Sequence, residues 1–298
     1  MAIQIQQQDV VISSLFREFP MEIKLDIFEK LVDSAYAQVA ATPETWMVDG
    51  CEDAIDQIYI INSHIPSQDI HLRRFQLIRV ASQINSTTRA LVNRRLPRFP
   101  RYYYFTLSGR VSLSLPKATS LRHTWVCPEH DRFRLQPSTN RYNDDGDRKN
   151  TLESAILNAM GKTLEHMKHI QKALYSDNLF FHARKTEIQA IASLPNLKSI
   201  CLWPGPTERP MRPAEPHLHS ELQPVDPSIY FLLAQQDQIR LLSLWKPLWD
   251  AGVRITCGRH WLNEEIAEIV RTDEGLRLRF LQEECKCYEP AQSDGEGS

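Results

Sequence analysis

Apolar positions along the chain change period several times, and each change marks an element. Ile23, Ile27 and Leu31 fall on one helical face, widened by Leu25, Phe28 and Val32, which predicts an amphipathic helix from about Met21 to Ala40. Pro20 sits where a helix begins, and Thr42-Pro43 ends it because proline disfavours helical geometry in the residue before it. Phe16 and Phe19 precede the helix, placed to pack on its first turn. Gln57 to Asn62 is short and β-branched and reads as a strand or a buried connector. Helical spacing returns at Phe75, Ile78, Ala81, Ile84, Thr88 and Leu91, predicting one helix from Leu72 to Asn93, closed by Leu96-Pro97 and Phe99-Pro100.

From Tyr102 the period is two. Residues 102–107 and 111–115 alternate on either side of Ser108-Gly109, the pattern of an antiparallel hairpin. His123–Val126 and Arg132–Leu135 are further short strands. Asn140–Asn150 holds one apolar residue, Tyr142, and reads as a surface loop and a break between regions. A helix from Thr151 to Met160 is expected to stop at Gly161. Residues 167–174 fit helix or strand, 188–194 fit a helix, and Leu194-Pro195-Asn196 turns into a strand that ends at Leu202. Residues 204–227 carry seven prolines and predict an exposed loop. Asp226 then caps a helix with Pro227 at its first position. That helix runs to Trp245, is disturbed by Pro247 and ends at Ala251-Gly252. Residues 253–257 suit a strand, 262–271 a final helix, and 289–298 a disordered acidic tail.

The chain is therefore expected to be α+β: N-terminal helices, an antiparallel hairpin, then β-α units in the C-terminal half. The expected division is a tail at 1–15, a helical region plus hairpin at 16–140, an α+β region at 151–288 and a tail at 289–298. With 298 residues, 42% hydrophobic and 24% charged, the chain is long enough to bury a real core. No uncharged apolar run approaches the ~18–20 residues of a membrane span, so no membrane partner is expected. The Gln-rich start lacks the basic residues of a secretory signal, and six scattered cysteines make no disulfide framework. An intracellular protein of cytoplasm or nucleus is the expectation.

Phe19-Pro20-Met21-Glu22-Ile23-Lys24-Leu25-Asp26-Ile27-Phe28-Glu29-Lys30-Leu31-Val32 resembles the first helix of an F-box. Phe75–Asn85 is similar to the helix that ends such motifs. The wide spacing between them resembles a fungal F-box-like family, named for two Glu-x-Arg motifs, that inserts a strand-containing stretch at this place. Met167-Lys168-His169-Ile170 and Pro195-Asn196-Leu197-Lys198-Ser199-Ile200 match that family's two later strands in order. The first Glu-x-Arg is Glu22-Ile23-Lys24 here, the second is absent, and Ala81 stands at the motif's central Cys.

The resemblance implies a non-enzymatic protein–protein interaction module. Its helix would dock a Skp-type adaptor of a cullin–RING ubiquitin ligase through Phe19, Pro20, Ile23, Ile27, Phe28 and Leu31, while the C-terminal half would hold a target protein. The same apolar face could equally pack against the chain's own second helix.

Charge opens a second reading. Residues 70–128 contain ten Arg and one Lys but no Asp or Glu, +11 against −13 for the rest. Arg94, Arg95, Arg98 and Arg101 beside Tyr102–Tyr104 could bind nucleic acid or another anionic partner. A net charge of −2 and a pI near 6.6 favour pairing within the molecule instead. Cys127-Pro128-Glu129-His130 and Cys257-Gly258-Arg259-His260 have short metal-type spacings but lie far apart, so no metal is expected. No catalytic or cofactor motif is present, and no cofactor is expected. Trp245, Trp249 and Trp261 suit a C-terminal core better than a ligand cage.

Overall fold

The structure is a computed structural model and describes residues 19–50, 58–62, 70–107, 110–114, 123–135, 151–176, 180–203, 222–225, 233, 236–258 and 265–281. Within them the fold is α+β, built on one mixed sheet. The first helix, α1 (Met21–Ala40), is followed by β1 (Thr45–Gly50) and β2 (Ile58–Asn62), then α2 (Ile70–Gln83) and α3 (Ser86–Arg95). The hairpin β3 (Arg98–Leu107) and β4 (Arg110–Ser114) precedes β5 (His123–Trp125) and β6 (Arg132–Leu135). Next come α4 (Thr151–Leu157), α5 (Gly161–Met167), β7 (Lys172–Ser176), α6 (Lys185–Ala192), β8 (Ser199–Trp203) and β9 (Leu222–Pro224). The described chain closes with α7 (Gln238–Asp250), β10 (Arg254–Gly258), β11 (Glu265–Thr272) and β12 (Gly275–Phe280).

Four sequence expectations change. The helix expected over 151–160 ends at Leu157, and Gly161, expected to stop it, opens α5. The single helix over 72–93 is two, because Asn85 leaves the helix and caps α3. Its side chain accepts from the Thr88 N–H at 2.9 Å while Thr88 Oγ1 accepts from the Asn85 N–H at 3.2 Å. The final helix predicted over 262–271 is strand β11. Ala267 and Ile269 are buried alternately between β10 and β12, and the ladder overrides the helical spacing of Ile266, Ile269 and Val270. The described part of the late helix begins at Gln238, where Asp237 accepts from the Ile239 and Arg240 N–H groups, and it continues through Pro247 to Asp250. The predicted start at Asp226-Pro227, the proline-rich segment to Glu221 and both tails lie outside the described residues.

The sheet runs β4-β3-β2-β1-β6-β7-β8-β10-β11-β12-β9, with β5 attached to β3. β1, β6, β7, β8 and β10 are mutually parallel and form its centre. β6 and β7 pair across the predicted break at 140–150, so the regions on either side share one sheet.

Topology puts the helices on one face. From β6 to β7, β8 and β10 the chain steps in one direction, and each return to a parallel neighbour passes through helix. The near-universal right-handed crossover then sets every such helix on the same side. The β2-to-β3 crossover runs the other way along an inverted strand, which leads to the same face again. Burial agrees. Trp46, Val48, Ile60, Phe133, Leu135, Ala173, Tyr175, Ile200, Leu202, Ile255, Ile269 and Leu278 share one side by register and form one core with Leu152, Ile188, Leu241 and Trp245 from the helices. Trp245 stacks against Phe181 and meets Trp249 edge-on, as a core tryptophan does. Leu174 and Cys201 are buried but stand on the other side and take no part in that core. A second, smaller core holds Val32, Ala35 and Val39 of α1 with Ile78, Ala81, Val92, Leu96, Trp125 and Cys127.

Candidate interaction surfaces

Helix α1 outruns its partner. Arg74 near the start of α2 reaches the Thr42 carbonyl at 3.3 Å, and Arg73 pairs with Glu44, so α2 runs antiparallel from the end of α1. Fourteen residues of α2 span about 21 Å and twenty of α1 about 30 Å, so α2 falls about 9 Å, roughly six residues, short of the start of α1. The buried residues of α1 are accordingly Phe28, Val32, Ala35 and Val39, all in its second half or next to it. On its first two turns Met21, Ile23 and Leu25 are exposed, Ile23 at 47% and Met21 at 63%, as is Phe19 just before it. Met21 and Leu25 lie near the core-facing line of the helix and would be buried if the bundle were longer.

Of the six residues that the resemblance assigns to docking, Phe19, Pro20 and Ile23 are exposed, and Ile27 and Leu31 are half-buried. Phe28 is a correction. At 6% exposure it is covered by the fold itself and presents no surface to a partner. The spacing places Phe28 beside Ile27, but only its seven-residue step to Ala35 shows that it lies on the inward line.

The arginine-rich stretch does not form one surface. Arg94, Arg95 and Arg98 are exposed, yet Arg95 pairs with Asp33 of α1, and the Arg98 guanidinium lies 5.6 Å from the Trp125 ring centroid. Arg101 is a second correction. It is 1% exposed and points to the helix-covered side of β3, where no anionic partner can reach it.

The deepest of these charges builds a structural knot. Asp131, fully buried, accepts four hydrogen bonds. Glu44 N–H (3.0 Å) and Arg74 (2.9 Å) donate to one oxygen; the Trp46 indole and the Cys127 N–H, both at 2.7 Å, donate to the other. The Arg74 guanidinium also lies over the Trp46 ring, as does the His71 imidazole. Burial, reinforced by the Arg101 charge, pushes the His71 pKa down to about 3. Sequence reasoning missed this cluster, since Asp131 and Arg74 are ordinary in composition and 57 residues apart.

Cys127-Pro128-Glu129-His130 proves to be the turn that closes on Asp131. The His130 and Asp131 N–H groups donate to the Cys127 carbonyl at 3.0 and 2.7 Å. Cys127 is buried, and burial raises its thiol pKa, the wrong direction for a metal-binding thiolate. Tyr36 donates to Glu129 at 2.8 Å, and burial together with that carboxylate pushes its phenol pKa up. Cys257 lies in the β10 core, and Arg259-His260 fall outside the described residues. Among the described residues, no three His, Cys, Asp or Glu side chains are grouped to hold a metal, and no helix is long and apolar enough to cross a membrane.

No family model, curated protein or solved structure matches the chain. Its surfaces are therefore interpreted from their own chemistry.

Proposed function

We propose that the chain is a non-enzymatic interaction module whose helix α1 docks a partner in the helix-in-groove manner, with Phe19, Pro20, Met21, Ile23 and Leu25 as contacts and Ile27 and Leu31 at the margin. The observation that carries this reading is the uncovered start of α1. Three large apolar side chains, Met21, Ile23 and Leu25, are exposed on its first two turns, whereas Phe28, Val32, Ala35 and Val39 further along the same helix are buried. Such clustering exceeds the scattered exposed apolar residues of ordinary surfaces. The F-box resemblance of residues 19–32 supports a Skp-type adaptor of a cullin–RING ligase as the partner. The half of the chain after residue 150 would then carry the target.

The test is direct binding of purified adaptor to the full chain, by calorimetry, with Ile23→Asp and Leu25→Asp introduced together. Both side chains are exposed, so the substitutions leave the fold intact. Binding that the double variant loses supports the reading; no binding by the wild-type chain, or equal binding by both, overturns it.

A further inference from the structure

The side of the sheet opposite the helices is lined by charge. Register places Arg132 and Arg134 of β6, Lys172, Leu174 and Ser176 of β7, and Ser199, Cys201 and Trp203 of β8 on this face. Arg254 and Thr256 of β10, Glu265 and Glu268 of β11, and Arg277 and Arg279 of β12 continue it. Sheets with a parallel centre are ordinarily covered on both sides. Here the helices that connect parallel neighbours lie on the other side, as the right-handed crossovers dictate.

The cations on this face are poorly matched. Glu265 is shared by Arg132 at 3.9 Å and Arg254 at 3.6 Å, and Arg279 stands 3.7 Å from Glu268. All three separations exceed the 2.7–2.9 Å of a good guanidinium–carboxylate hydrogen bond. Arg277 is better served, reaching Glu274 at 2.5 Å. Arg134 faces no carboxylate among the described residues. Its guanidinium lies over the Trp203 ring, 4.4 Å from the centroid, a position that directs its edge donors away from the ring. Burial pushes the Arg134 pKa down, so a bound carboxylate would offset a standing desolvation cost.

We infer that the charged side chains on this sheet face, which lie over the buried Ser199, Cys201 and Thr256, dock an extended acidic peptide segment of a partner protein, with Arg134, Arg254, Arg132 and Arg279 taking its carboxylates. Charge complementarity names the occupant. A phosphate chain carries charge at every link and would meet Glu265 and Glu268; a peptide can place neutral residues there. An extended peptide repeats its side chains on one side about every 6.4–6.8 Å, a spacing suited to a pleated surface. This inference is independent of the docking of α1.

The test uses the full chain and a fluorescent peptide of alternating Glu and Ser, about ten residues long, to match a strand. Its control is the Gln-Ser counterpart, and anisotropy is read at low salt. The Glu peptide is expected to bind at least roughly tenfold more tightly than the Gln peptide and to weaken as salt rises. Arg134→Gln is expected to remove about tenfold of that affinity. Because Arg134 is half-buried, the exposed pair Arg254→Gln with Arg279→Gln provides a second variant set that leaves the fold undisturbed, checked by circular dichroism. Equal binding of the two peptides, or affinity unchanged in both variant sets, overturns the inference. Tighter binding of a thymidine oligonucleotide also overturns it, in favour of nucleic acid. Binding seen only after Glu283, Glu284, Glu289, Asp294 and Glu296 are changed to their amides overturns it in favour of the chain's own tail.

Discussion

Arg74 Nη2 and Asp131 Oδ1 lie 2.9 Å apart at the junction of the helical unit and the sheet, with both side chains almost wholly removed from water. The pair joins α2 to the turn before β6. Through the other donors to Asp131 it also holds Glu44 and Trp46 at the start of β1. A buried carboxylate with all its lone pairs engaged orders three separate segments around one point.

Asp131→Asn keeps the shape and removes the charge, leaving Arg74 buried without a counter-ion. Loss of one partner of such a pair costs about 3–5 kcal/mol. Urea unfolding followed by tryptophan fluorescence is expected to show a destabilisation of that order. A loss below about 1 kcal/mol would mean that the knot tolerates the missing charge.

His71 makes stability depend on acid. Its folded pKa of about 3 lies below the ordinary 6.5, so the unfolded chain binds the proton more readily between those values. Stability is complete above pH 6.5 and falls as pH drops toward 3, by about 2 kcal/mol at pH 5 from this group. Burial lowers His166 and His169 in the same direction. Chemical denaturation at pH 7 and pH 5 is expected to show a smaller difference for His71→Leu than for the wild-type chain.

The two halves of α1 are expected to respond oppositely to substitution. Val39→Ala, at a fully buried site, should cost about 2 kcal/mol, whereas Ile23→Asp should change stability by no more than about 0.5 kcal/mol. Thermal melting of the two variants decides this. A large loss for Ile23→Asp would show that the first turns of α1 are part of the core.

Asn85→Ala removes the reciprocal cap at the start of α3 and is expected to cost about 1 kcal/mol. Asn85→Ser, which retains a capping oxygen, should recover most of it. Equal melting temperatures for the wild-type chain and Asn85→Ala would show that the cap contributes nothing.

Periodic segments were legible wherever local pattern and tertiary role agree. Ile23 to Val32 predicts α1, the alternation after Tyr102 predicts the β3–β4 pair, and Ile58–Asn62 and Arg132–Leu135 emerge as strands. The pattern misled at β11, where Ile266, Ile269 and Val270 also fit a helix. The clear alternation of Leu276, Leu278 and Phe280 in the neighbouring β12 was the available signal for a hairpin there. Trp46 and Val48 of β1 alternate in the same way on too short a run to stand out.

By itself the amino-acid sequence determined that α1 is helical and that β2, β6 and the β3–β4 hairpin are extended, since turn residues and apolar spacing act over a few neighbours. Its balanced charge also favoured pairing within the molecule for the arginine-rich stretch, and Arg73, Arg74 and Arg95 pair with Glu44, Asp131 and Asp33. Only the tertiary structure decided that Phe28 and Arg101 are inside, that the first turns of α1 are exposed, and that Arg134 and Arg254 share one face of the sheet. Those properties depend on strand order, crossover hand and the relative lengths of packed helices. Each arises between residues tens of positions apart, beyond the reach of any local period.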